Sequence, residues 1–225
     1  IPAFQNPTGV TLSAARRLEL VDGAAEHDVL VVADEVYHLL RFAPGEMPPP
    51  MSAFVDDGPI LSIGTFSKIL APGMRLGWIH GSVDRLTALA NSGLILSGGG
   101  LNPVTSSLAT AMMRTGWQHE YVEWLRATFA RRSSVMVDAL RRHMPDWVRF
   151  DVPQGGYFVW LRLPAGADGA ELRRRAKSEG VDLRHGAQFS PTGSLGNHLR
   201  LSYAFYDDDD IAEGVARLGR ALHTL

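Results

Sequence analysis

The chain reads as an α/β layer with a mainly parallel sheet, followed by a smaller α+β unit, and three observations carry that reading. Helical periodicity alternates with short apolar runs over the first eighty or so residues; a long, mostly helical stretch follows; short strand-like runs and two further helices close the chain. Ser13 to His27 has helical character, with Leu18, Val21 and Ala25 as the apolar positions and Ser13 as N-cap. Val29-Leu30-Val31-Val32-Ala33 is continuously apolar, which suits a parallel strand covered on both faces. Pro44 to Pro50 reads as a surface loop. Ile60 to Ile63 and Leu76 to His80 read as two more strands. Val104 to His143 is helical apart from a break near Gly116, and its Arg/Glu/Ala-rich part from His119 is expected to lead into the second domain. The domains expected are therefore residues 1–118 and 119–225. The second has strands near Val148 to Phe150, Tyr157 to Arg162, Val181 to Arg184 and Leu199 to Tyr203, a helix near Ala170 to Glu179, and a terminal helix. Asp207 to Asp210 precedes that last helix, so its acids read as a cap that favours the helix dipole rather than as a metal site.

Composition narrows the function classes. With 225 residues, 45% of them hydrophobic, the chain has ample material for buried cores. A formal net charge of -2, from 22 basic and 24 acidic side chains, leaves no basic footprint for nucleic acid and no polybasic stretch for a membrane. There is no cysteine, which excludes disulfides and thiolate catalysis and suits a cytoplasmic location. The apolar runs are too short to span a bilayer, and no signal peptide opens the chain. The chain starts at Ile1, directly in a strand-like Ile1-Pro2-Ala3-Phe4, as expected for part of a longer protein.

Four segments carry chemistry. Thr65-Phe66-Ser67-Lys68-Ile69-Leu70-Ala71-Pro72-Gly73-Met74-Arg75 supplies an amine, two hydroxyls and a guanidinium in a loop after an apolar strand. An amine that forms an imine beside a bound anion needs such surroundings, because cationic neighbours and partial desolvation favour its neutral form. Asp34-Glu35-Val36-Tyr37 follows the apolar run, which places a carboxylate at a strand end, where ligand crevices open in α/β sheets. Asn6-Pro7-Thr8-Gly9 lies upstream and Asn197-His198-Leu199-Arg200-Leu201-Ser202 near the end, with Arg200 facing opposite to its leucine neighbours. Each segment also has a plainer reading: a solvated lysine, hydroxyls capping a turn, a helix N-cap at Asp34-Glu35, an Asn-Pro turn, a structural salt bridge at Arg200.

Taken together, in this order and with spacings of 28 residues from Asn6 to Asp34 and 34 from Asp34 to Lys68, these segments resemble the class I/II pyridoxal-phosphate-dependent aminotransferases of fold type I. The arginine seven residues beyond the lysine is similar to the aminoadipate and kynurenine aminotransferase-like subgroup. The resemblance implies pyridoxal 5'-phosphate as cofactor, an amino acid and a 2-oxo acid as substrates, and a homodimer for the complete protein. It implies that Lys68 bonds the cofactor and, once substrate displaces it, moves a proton. Thr65, Ser67 and Arg75 would bind the phosphate. Asp34 would pair with the pyridine nitrogen, keeping the ring an electron sink. Tyr37 and Asn6 would contact the phenolic oxygen, and Arg200, with Asn6, the substrate carboxylate. Gly155-Gly156-Tyr157-Phe158-Val159-Trp160 resembles the small-domain strand that precedes this arginine in the family.

The likeness spans the second part of a family member, so the first phosphate-binding loop and the residue stacking on the pyridine ring are expected outside it. His185-Gly186 stands where many relatives have Pro-Gly before Phe189, which leaves the shape of that loop open. The glycine-rich Ser97 to Pro103 matches no nucleotide fingerprint and reads as a flexible loop or as a segment near a dimer interface. No metal-ligand spacing and no G-x-S-x-G elbow occurs. Two other functions share the motifs: a pyridoxal-phosphate lyase or decarboxylase, and the aminotransferase-like effector domain of a transcription regulator.

Overall fold

Strand β1 (Val31–Asp34) runs parallel to β2 (Ile60–Thr65), with Asp34 opposite Ile63, and β3 (Gly77–His80) returns antiparallel to β2. The structure, a computed structural model, describes residues 1–100 and 102–223. Packing divides the chain into two compact units, Ile1–Gln5 with Val10–Arg126 and Asn6–Gly9 with Ala127–Leu225. The division expected at 118/119 and the one at 126/127 both fall inside a single helix, α5 (Trp117–His143).

In the first unit, α1 (Ala14–Glu26) starts where the Ser13 side chain accepts a hydrogen bond from the Arg16 backbone N–H at 3.3 Å. Its buried face is Arg17, Val21 and Ala24. The expected stripe of Leu18, Val21 and Ala25 is corrected accordingly: Leu18 and Ala25 are exposed, and an arginine takes the inner position because each of its guanidinium nitrogens finds an acceptor there. Val21 packs with Ala33, Met51 and Ile60 in the core of this unit. The run Val29 to Ala33 is not covered on both faces; Val32 is 54% exposed, and only Ala33 within β1 is buried. Two helices that the sequence reading left unassigned, α2 (Val83–Ala90) and α3 (Gly93–Leu96), follow β3. Of the glycine-rich segment after them, Leu101 lies outside the described residues, and Asn102 caps α4 (Pro103–Arg114) by accepting from the Val104 and Thr105 N–H groups. Gly116, at φ +80°, separates α4 from α5, since a left-handed residue ends a helix at little cost only when it is glycine.

In the second unit the sheet order is β4 (Arg149–Phe150), β5 (Phe158–Arg162), β7 (His198–Ser202), β6 (Arg184–His185), all antiparallel. The strand expected over Val181 to Arg184 is thus shorter and ends one residue later. Val159, Leu161, Leu199 and Leu201 alternate with Phe158, Trp160 and Arg200, and those four are buried. Helix α6 (Gly169–Ser178) is capped by the Asp168 side chain and packs on α7 (Asp208–His223). The acidic run does cap α7: the Asp207 side chain accepts from the Asp210 N–H at 3.0 Å. Asp208 instead pairs with Arg131.

Candidate active site

In the first unit the candidate side chains stand at strand ends and on the turns that follow. Asp34 is the last residue of β1, and its Oδ1 is buried without a hydrogen-bond partner among the described residues. Tyr37, 5% exposed, opens a short 3-10 turn three residues later. The ammonium of Lys68 lies 5.9 Å from the centre of the Tyr37 ring, which brings the two segments together. Lys68 rides on a tight turn in which the Phe66 carbonyl accepts from the N–H groups of Ile69, Leu70 and Ala71. That turn is anchored by Gln118 of α5, whose side-chain N–H donates to the Ile69 carbonyl at 2.6 Å.

Ser67 and Arg75 also converge, Nη1 of Arg75 reaching Ser67 Oγ at 3.5 Å. Arg75 adopts φ +50°, a left-handed conformation costly for a residue with a side chain. Thr65 behaves differently from its neighbours. Its hydroxyl donates to the Leu76 carbonyl at 3.2 Å and accepts from the Ser67 N–H at 3.1 Å, so its hydrogen is committed to bracing the turn. The turn-capping reading describes this geometry. Gly64, just before it, has Trp78 packed across it: a Cβ would lie 2.1 Å from that indole.

Directly after β1 lies an ion pair that sequence reasoning missed. Glu35, whose plainer reading above is part of a helix N-cap, is 8% exposed, and its carboxylate accepts from the N–H groups of Met51 and Ser52 and from Ser62 Oγ at 2.7 Å. Arg17 reaches it at 3.5 Å and also donates to the carbonyls of Pro2, Leu12 and Pro49. Burial pulls the Arg17 pKa below its usual value, and Glu35 opposes that shift. Beside them His38 is also lowered, first by burial, with Glu35 raising it and Arg17 and Arg126 lowering it further.

In the second unit Arg200 sits mid-strand on β7, and its Nη1 donates to Asn6 Oδ1 at 2.7 Å. The Asn6 oxygen is thereby fixed toward Arg200, which leaves its NH2 group as the donor end. The Arg200 guanidinium carbon lies over the rings of Phe158 (4.2 Å) and Phe189 (4.9 Å), neither of which had been singled out as a site residue. The signal was partly present, since alternation puts Phe158 and Trp160 on one face of β5; the register that sets Trp160 opposite Arg200 was not. The loop at His185-Gly186 takes a defined shape. His185 has φ -86° and ψ 151°, an extended conformation close to the one proline favours, and a 3-10 turn from Gly186 to Phe189 follows.

The profile of the family described as aminotransferase class I and II matches residues 2–218. The chain belongs to that family. It is 34% identical over 224 residues to the aromatic-amino-acid aminotransferase 1 of Thermococcus litoralis, covering 99% of this chain and 53% of that protein. The solved α-aminoadipate aminotransferase of Thermus thermophilus, complexed with N-(5'-phosphopyridoxyl)-L-leucine, superposes with a TM-score of 0.90 at 35% identity, over 100% of this chain and 58% of that one. An uncharacterised HTH-type transcriptional regulator of Bacillus subtilis is 29% identical over 228 residues, covering 100% of this chain and 46% of that protein. The chain spans about half the length of the curated relatives it matches. Among the described residues no helix is long and apolar enough to cross a membrane.

Proposed function

We propose that the complete protein carrying this chain is a pyridoxal-phosphate-dependent aminotransferase that passes an amino group from an amino acid to a 2-oxo acid. The observation that carries the reading is the buried, unpartnered Oδ1 of Asp34 at the carboxyl end of β1. A buried carboxylate oxygen is costly unless a cation or donor meets it, and a protonated pyridine nitrogen is such a donor. Asp34 would hold the ring nitrogen in its protonated form, Tyr37 would donate to the phenolic oxygen, and Ser67 and Arg75 would hold the phosphate. Thr65 would keep the phosphate turn in shape through Leu76 and Ser67. When bound, the cofactor supplies an electron sink for the pair left behind as a substrate Cα–H bond breaks.

Lys68 would bond the cofactor in the resting protein and then, as a freed neutral amine, take the proton from the substrate Cα. Its turn, held by Gln118, limits where Nζ can reach. Arg200 would grip the substrate carboxylate with Asn6 donating from its NH2 group. A homodimer and a cytoplasmic location complete the proposal, both resting on the family resemblance.

The regulator relative motivates one alternative, an effector domain that binds the same ligands in a longer DNA-binding chain. Absorbance spectra of the full-length protein, recorded with pyridoxal phosphate and then with candidate amino acids, distinguish the two. The aminotransferase reading expects a spectral change that a 2-oxo acid reverses. Borohydride reduction and peptide mapping should place a pyridoxyl group on Lys68, and Lys68→Ala should abolish it; a label on Lys177 would refute the assignment.

A further inference from the structure

Arg200 is held from more than one side, and the way it is held goes beyond gripping a carboxylate. Trp160 is its direct partner across β5 and β7. The Trp160 ring stacks on His198 (centroids 5.1 Å apart, 17° between planes) and meets Phe189 edge to face (5.9 Å, 82°). Phe189 in turn lies against the guanidinium. Its turn is tightly specified: a Cβ on Gly186 would fall 2.2 Å from the Leu195 carbonyl oxygen and 2.8 Å from His198 Cβ. His198, Trp160, Phe189 and Arg200 thus form a packed series within the second unit.

We propose that Phe189 is a positioning residue for Arg200, acting with Phe158 to cover the flat faces of the guanidinium so that only its N–H edge meets the substrate carboxylate. The proposal rests on the carboxylate role of Arg200 given above. A guanidinium is weakly hydrated over its faces and donates hydrogen bonds only in its plane, so rings over the faces cost little hydration and stop the group from rotating. They also keep water from the ion pair, which strengthens it. Phe158 is a buried strand residue whose loss would disturb the sheet. Phe189 lies on a turn, and its ring is the one that can be altered while β5 and β7 stay paired.

The test uses the full-length protein with Phe189→Leu, which keeps an apolar side chain without a π face, and Phe189→Tyr, which restores the ring. Calorimetric titration compares 4-methylpentanoate with its uncharged counterpart 4-methylpentanamide. The leucine variant should bind the carboxylate about tenfold more weakly with little change for the amide, and the tyrosine variant should recover the loss. In amino-acid turnover, KM should rise by a larger factor than kcat falls. Equal losses for both ligands would show an ordinary packing role and overturn the proposal, as would no loss, or a wild-type protein that does not prefer the carboxylate. If the preference is present and depends on Phe189 while the wild type transfers no amine, the aminotransferase reading fails and the clamp stands. If the wild type transfers amine and Phe189→Leu binds both ligands as it does, the clamp fails alone.

Discussion

In the first unit Asp34, Tyr37, Ser67, Lys68 and Arg75 sit at or beyond the ends of strands, whereas Arg200 of the second unit lies in the middle of β7. The two placements are held by different forces. A residue inside a paired strand inherits its direction from the ladder, so Arg200 needs only side-chain neighbours, the rings of Phe158 and Phe189 and the amide of Asn6, to fix its tip. A residue on a turn has no ladder, and its backbone must be tied down by groups from elsewhere. Glu35 does this by joining the end of β1 to residues 51, 52 and 62, and Gln118 does it for the lysine turn. Removing a brace should therefore cost stability in the first unit and binding in the second.

The largest effect is expected from Glu35→Ala. It leaves the Arg17 charge buried with only carbonyl partners and strips three donors of their acceptor, a loss on the order of 3–5 kcal/mol. Urea unfolding of the full-length protein measures it. Replacing both members, as in Arg17→Met with Glu35→Leu, should recover only the part of that loss due to the unpaired Arg17 charge, because the Met51 and Ser52 N–H groups and Ser62 Oγ still lack their acceptor. If the single and double variants unfold alike, the unpaired Arg17 charge is not what makes the single variant costly.

Arg200→Lys comes next and should act on the other axis. Lysine keeps the charge but cannot make the two-pronged, ring-covered contact, so the amino-acid concentration for half-saturation should rise by roughly 10- to 100-fold, in line with the ~1.5–3 kcal/mol of a charge-assisted hydrogen bond. Pyridoxal phosphate affinity and the unfolding midpoint should hardly move. A variant that loses cofactor or stability instead would erase the contrast between the units.

These expectations follow the line between what could and could not be read from the chain. The α1 cap at Ser13, the break at Gly116 and the alternation along β7 are local signals, and each is present in the structure. Arg17 could not be read in the same way. A charged residue beside Leu18 looks solvent-facing until the carbonyls of Pro2, Leu12 and Pro49 and the carboxylate of Glu35 are known to surround it, and all four lie outside α1, three of them 15 or more residues away in sequence. Thr65 is hard to read for a related reason: whether a hydroxyl braces its own turn or serves a ligand depends on where Leu76 returns. The overexposed Val32 shows the same limit in an apolar residue, since a continuous hydrophobic run states what a strand could bury and not what packs against it.

Gly64→Ala probes the first unit more gently. Its Cβ would overlap Trp78, which packs edge to face with Phe66, the residue whose carbonyl closes the lysine turn. Displacing the indole should cost about 1–2 kcal/mol, together with weaker retention of pyridoxal phosphate. Unchanged cofactor retention would mean that the turn is positioned independently of the strand before it.

The smallest effect is a pH dependence at His38, which packs beside the brace with its Nδ1 buried and 3.9 Å from Glu35 Oε1. Burial lowers its pKa more than Glu35 raises it, and the cations Arg17 and Arg126 add to the lowering. The unfolded chain therefore binds a proton at a higher pH than the folded one. The contribution of neutral His38 to stability is fully present above the unfolded value of about 6.5 and is lost as pH falls through that value toward the folded one. His38→Gln removes the titration, so the stability difference between wild type and variant should be constant above about pH 7.5 and should shift against the wild type by under about 1 kcal/mol per pH unit below 6.5. A shift in the opposite direction would mean that Glu35 governs this histidine, and that the brace includes a charged imidazolium as a second cation beside Arg17.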